Sequence, residues 1–226
     1  ITVAIALSLV AYSASTNLVG SWKSSLPDNA PNNLLFNIYD GEKENLVEFL
    51  KLNEIEVQPL FPVTSARFQR LDSKKEIDRT FNFTWMDKLP EGNEVIAGKW
   101  FENENNGISI SSEISERYEL QVNDQIVIDI AGKKISSYIQ SIREVNWENF
   151  SPNFFAIGFP DDFKEISSTF ITSFHIPQEK KPLSSELMKT FPTISYISLD
   201  AIIVEVQSII SKVSQALKLI LGLTLI

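Results

Sequence analysis

Chemistry needs particular side chains, so the sequence is read first for those that could perform it. His175 is the only histidine, and there are no cysteines. Thiolate zinc sites, Fe–S clusters, disulfides and cysteine nucleophiles are thereby excluded. His175 lies in TFITSFHIP, an alternating strand pattern that ends at a proline, and reads as a structural histidine. Carboxylates are many but scattered. Glu113 and Glu116 sit three apart on an expected helix, and Glu102 and Glu104 flank a loop. A glycosidase pair or a hard-cation cluster could be assembled from such residues, but no spacing such as that of a calcium loop singles them out, so solvated faces are the simpler reading. GxGxxG, GxxxxGK[ST] and GxSxG are absent from the sequence. No catalytic, cofactor-binding or metal residue is assigned, and no cofactor is expected. The remaining candidates are aromatic: Trp147, Phe150, Phe154 and Phe155 could line a surface for a ligand or partner, or could pack a small core.

The elements that would position them follow from patterning. The 226 residues carry a net charge of −9, which argues against nucleic acid as a partner because phosphate contacts need clustered Lys and Arg. Leu34–Tyr39, a helix over Glu42–Asn53 and Ile55–Val63 read as a β-α-β unit, and Thr169–Ile176, Leu183–Phe191 and Ile194–Leu199 as a second. Residues 64–80 read as a charged loop or exposed edge strand. Between the two units, ISISSEISERYEL reads as a helix, and Gln125–Ile130 and Lys134–Ile142 as a hairpin around Ala131-Gly132-Lys133. Phe154–Phe159 reads as a further strand. The expected fold class is α+β: two β-α-β units forming one open sheet with helices on a face, with a β-rich inserted subdomain.

The two ends have a different character. Leu199, Ile202, Val206, Ile209, Val213, Ala216, Ile220 and Leu223 recur in steps of three and four, a seam along one long helix. Past Leu217 the chain is apolar on all sides, and ITVAIALSLVAY at the start has the same nature. The first is about 12 residues against the roughly 20 that span a bilayer, and a buried soluble helix is its alternative reading. The match between the two ends leads to the expectation of two cut transmembrane helices, each continuing into a helical stalk. The expected organisation is the end of a transmembrane helix and first stalk over 1–24, a first β-α-β lobe over 25–80, the insertion over 81–160, the second β-α-β unit over 161–199, and the second stalk with the start of a transmembrane helix over 200–226.

The segments Ser141–Ile157 (SIREVNWENFSPNFFAI), Ser111–Ile135, Leu26–Asn32 and Ile171–Leu217 together resemble the extracytoplasmic domain of YbbP-type ABC-transporter permeases, within the MacB/FtsX-like permease group. The likeness is spread over nearly the whole chain. It implies a domain on the periplasmic or extracellular side of a bacterial inner membrane, with no catalytic residue of its own. It also implies that ATP is hydrolysed by a separate cytoplasmic ABC ATPase subunit. Motion of the transmembrane helices would then be coupled to export or extraction of an apolar substrate, or to a soluble periplasmic partner. A homodimer is compatible with the same likeness. The alternative is a membrane-anchored ligand- or protein-binding module without a transport role.

Overall fold

The computed structural model describes residues 30–70, 77, 79–101, 107–147 and 151–224. The expected first stalk, Glu102, Glu104 and Phe150 lie outside them. The fold is mixed α/β and dominated by sheet: among the described residues ten strands pair edge to edge, from a first lobe into a second body.

The first lobe uses β1 (Asn33–Ile38), α1 (Lys43–Leu52), the first residues of β2 (Phe61–Arg70), β9 (Thr169–Phe174), α4 (Pro182–Thr190) and β10 (Ser195–Ser198). β9 lies antiparallel between β1 and β2, and β1 lies antiparallel between β9 and β10. Each β-α-β unit is therefore split by a strand of the other, the ferredoxin-like arrangement. Burial explains the helices. Leu46 and Leu50 on α1, four residues apart, and Leu183 and Leu187 on α4 share one core with Leu35, Ile38 and Phe174 of the sheet. Phe49 and Phe191 meet edge to face at 5.7 Å between the helices. Lys180 Nζ reaches both the Asn53 carbonyl (2.8 Å) and Glu54 (2.9 Å), tying the end of α1 to the approach to α4.

The second body is a ring. β2 pairs β3 (Arg79–Trp85) and β3 pairs β8 (Ala156–Gly158). β8 pairs β5 (Ile108–Ser111), and β5 pairs β7 (Lys133–Val145). β7 pairs β6 (Gln125–Ile130), which returns to β2. Six strands thus close on themselves, which removes their free edges. The interior is filled by Phe68, Phe81, Phe83, Ile108, Ile126, Ile128 and Ile139 with their neighbours. β4 (Asn93–Gly98) attaches outside the ring, to β7. α2 (Ser112–Tyr118) contributes Ile114 to the same interior, and α3 (Pro160–Phe163) contributes Phe163. The β6–β7 turn is Ala131-Gly132 with φ of 51° and 88°, both left-handed, as a two-residue turn of right-twisting strands requires. Asp129 Oδ1 accepts the Gly132 N–H at 2.9 Å.

Three expectations are corrected. The stretch from residue 64 is neither loop nor edge, because β2 runs on to Arg70 with β3 and β6 on either side. Its charges mislead: Ala66 and Phe68 point into the ring, and Arg67 points away between them. β2 also starts at Phe61, not Ile55; upstream only Val57 makes an isolated bridge, to Phe174. Finally, Ile108–Ser111 is a strand and not the first turn of a helix. All four of its residues are buried between β7 and β8, which suits alternating isoleucines better than a short helix would.

The last element, α5, runs from Leu199 to Thr224. Among the described residues no helix is long and apolar enough to cross a membrane. The apolar exit expected past Leu217 involves side chains that lie outside the described ones.

Candidate functional site

The aromatic candidates do not form one surface. Phe154 is buried in a cluster with Met86 and Ile157, packed by Phe61, Val63 and Ile171. Its ring meets Phe61 of β2 edge to face at 6.2 Å. This is where the first lobe meets the ring, so Phe154 is a wedge between bodies. Phe155, the next residue, sits at a bend just before β8 and packs on Phe81 of the ring interior. Trp147 lies on Phe155 with ring centroids 4.7 Å apart and remains 42 % exposed. The structure therefore brings together Trp147 and Phe155 and separates Phe154 from them.

The residue that organises this region is one that the sequence reading passed over. Arg143, on β7, is fully buried. Its Nε–H donates to Ser109 Oγ at 2.9 Å, its Nη2–H to the Phe154 carbonyl at 3.0 Å, and its Nη1–H to Asn93 Oδ1. One side chain thus ties β7 to β5, to β4 and to the segment that carries the aromatic pair. Asn93 continues the chain of bonds to Asn153 (3.0 Å), which donates to the Asn146 carbonyl (2.8 Å). Burial pushes the Arg143 guanidinium down to about 10, against the opposing pull of the Glu113 charge. The sequence did hold a signal. In Ser141-Ile142-Arg143-Glu144-Val145 a period of two puts Arg143 on the same side as Ser141 and Val145, a buried side.

Glu113 has a place in this arrangement. Trp147 Nε1–H donates to its Oε1 at 2.7 Å. Partial burial pushes this carboxyl up, but the Trp147 indole N–H, the Ser111 side chain, the Glu113 backbone and the Arg143 charge together outweigh that and hold it below the usual carboxylate range. Glu116 is exposed on the same helix. His175 is remote from the aromatic pair in the fold: its Nδ1 pairs with the Ala30 carbonyl at 2.8 Å, at the far end of β9. Among the described residues no group of three His, Cys, Asp or Glu could hold a metal ion. The cavity inside the ring, lined by Phe68, Phe81, Ile108 and Ile126, measures about 10 Å³. That is no more than one water occupies, and its apolar walls would keep it dry. The ring is a packed core. The arrangement around Arg143 can position a loop and its aromatic pair; it offers no nucleophile beside a base.

The long helix is the other candidate. From its second turn the seam stands open to solvent: Ile202, Val206, Ile209 and Val213 are 42 % to 54 % exposed. Leu199 N–H donates to the Asn32 carbonyl at 2.9 Å, so the chain leading into β1 and the helix leaving β10 meet at one end of the lobe.

No protein-family model matches the sequence. Over 198 residues, 84 % of the chain, it is 27 % identical to the uncharacterized ABC transporter permease YbbP of Escherichia coli (strain K12). The chain is similar to an ABC-transporter permease. It spans 24 % of the length of that relative, so the permease likeness concerns a part of the larger protein. Among solved structures, a domain of a protein named as a permease, from Porphyromonas gingivalis, superposes with a TM-score of 0.36 at 13 % identity, covering 75 % of this chain and 83 % of that one. The likeness to YbbP-type permeases read from the sequence thus has a matched relative.

Proposed function

We propose that this chain is the extracytoplasmic portion of an ABC-transporter permease subunit, held at the periplasmic or extracellular face of a bacterial inner membrane. The observation that carries the reading is the 27 % identity to a permease over 84 % of the chain. The finer organisation belongs to the same proposal. A lobe over 25–80 and 161–199 surrounds an insertion over 81–160 whose ring borrows the second half of β2, and stalks over 1–24 and 200–226 lead to the membrane. Support for paired stalks comes from the 2.9 Å bond between Leu199 and Asn32, which brings the chain in and out at one place. A single body with both connections at one end is suited to receive a displacement along them.

In this reading the domain performs no chemistry. A separate cytoplasmic ATPase subunit hydrolyses ATP, the transmembrane helices repack, and the stalks carry that displacement to the lobes, because a helix is stiff along its hydrogen-bonded axis. The work done is export or extraction of an apolar substrate or action on a periplasmic partner. Trp147 with Phe155 is the part of the aromatic run left open for such a contact. The test uses the longer protein in its own membrane, freed of any other thiols. A cysteine placed at exposed Glu186 should react with a membrane-impermeant maleimide in cells with a permeabilised outer envelope and an intact inner membrane. Reaction only after the inner membrane is broken would put the domain on the cytoplasmic side and end the proposal.

A further inference from the structure

The joint between lobe and α5 is polar, narrow and beside open space. Asp200 lies in the first turn of α5, and its Oδ2 is 3.6 Å from Nζ of Lys181, the residue that precedes α4. A backbone bond from Leu199 to Asn32 is a second tie at this level. Two and four residues beyond Asp200, Ile202 and Val204 are already solvent-exposed and Ile203 between them is half-buried, so among the described side chains apolar packing holds the helix on one side only. A cleft of about 390 Å³ opens beside the same turn, lined by Tyr196, Ser184, Lys181, Asp200 and Val204. On the lobe side its floor is rigid. Asn33 is buried and accepts the Tyr196 hydroxyl, and Asn32 bonds the Ile176 backbone both ways, at 3.0 and 2.8 Å.

A stiff 26-residue helix, fixed at its first turn and free on one side, rocks about that turn. We propose that the Lys181–Asp200 pair is a latch that sets the angle of α5 against the lobe, and that opening it lets the helix tilt relative to the cleft. The inference deepens the stalk reading above: a partly exposed ion pair is weak enough to be opened by a push from the membrane side and close enough to re-form when the push ends. It also couples the helix to α4, since Lys181 leads directly into that helix and α4 packs on the lobe core.

The 226 residues contain no cysteine, so Glu186→Cys on α4 and Ser211→Cys on α5 give one clean pair of spin-label sites, both exposed. Pulsed electron–electron spectroscopy on the full chain then reads the distribution of lobe-to-helix distances. In Lys181→Glu and in Asp200→Lys the population of a second, displaced distance should rise about two- to fivefold, the change expected for loss of a partly exposed pair. The double variant Lys181→Glu/Asp200→Lys should return the distribution to that of the parent. Single variants that leave it unchanged overturn the latch, and so does a double variant that stays displaced, because the effect would then belong to the helix end and not to the pair. The measurement is made in water without a membrane. Its failure leaves the permease reading standing, and a cytoplasmic result in the labelling experiment leaves the latch standing.

Discussion

Where the first lobe meets the ring, β2 continues from one sheet into the other, pairing with β9 through Phe61–Val63 and with β3 through Thr64–Phe68. Phe61 and Phe154 close that junction, with Met86, Ile157 and Ile171 around them. Where the same lobe meets α5, the ties include a backbone bond and an ion pair, and Ile202, Val204, Val206, Ile209 and Val213 beyond them are exposed. Apolar burial resists displacement because it is lost over many atoms at once, whereas two polar contacts can be exchanged for water at small net cost. By these contacts lobe and ring resist displacement as one body, and α5 is held to the lobe more weakly.

The largest expected effect comes from breaking the apolar joint. Phe154→Ala removes a buried ring from the junction and should cost about 3–5 kcal/mol in urea unfolding. If the two bodies are one cooperative unit, fluorescence and circular dichroism should still show a single transition, lowered for both. Separate transitions in the variant would mean that the wedge alone had joined them. Arg143→Met comes next. It leaves the buried Phe154 carbonyl without that donor and takes one bond each from Ser109, which keeps Ser141, and from half-buried Asn93, and should cost about 2–4 kcal/mol. Because this residue holds the segment before β8, the Trp147 emission should shift towards that of a solvated indole in the same variant.

How much of this was legible follows from what each signal depends on. The hairpin at Ala131-Gly132 and the helix rooted at Leu199 depend on local pattern, and both were readable from it. β2 was not, because residues such as Arg67 lie on its outward side and a charge count cannot tell an exposed loop from an alternating strand. Ile108–Ser111 failed for the reverse reason: its period was short enough to be absorbed into the helix that follows. Closure of the ring is a property of β2, which pairs with β9, β3 and β6, and no window of sequence records it. The aromatic run reads as one feature in the sequence, yet adjacent Phe154 and Phe155 serve different cores, because the chain bends at Phe155 before entering β8. Arg143 was missed because buried cations are rare enough that a lone arginine in a strand is read as facing outward.

A smaller effect sharpens the electrostatic part of the apolar joint's surroundings. The Glu113 carboxyl is held below its usual range, so its proton binds the unfolded chain more readily than the folded one. By linkage it adds stability above the unfolded value, and this is lost as pH falls through the folded value. The difference in urea midpoint between the parent and Glu113→Gln should therefore be greatest near neutrality and shrink in acid. A constant difference across that range would mean that the glutamate acts by shape alone.

The smallest effect belongs to the stalk side, and its smallness is the point. Val206→Ser changes a residue on the seam that is already open to solvent, so the unfolding midpoint of the lobes should stay within about 0.5 kcal/mol of the parent. The same substitution in the longer membrane-embedded protein should weaken cross-links between α5 and the segment before β1, if that seam is where the two stalks meet. A seam needed only as the surface of a free helix would leave those cross-links as they were. A seam that stabilised the lobes would instead lower the midpoint in water. The pair of measurements thus separates a seam that packs on the lobes from one that packs on the segment before β1, and the exposure of Ile202, Val206, Ile209 and Val213 is what the second requires of the lobes.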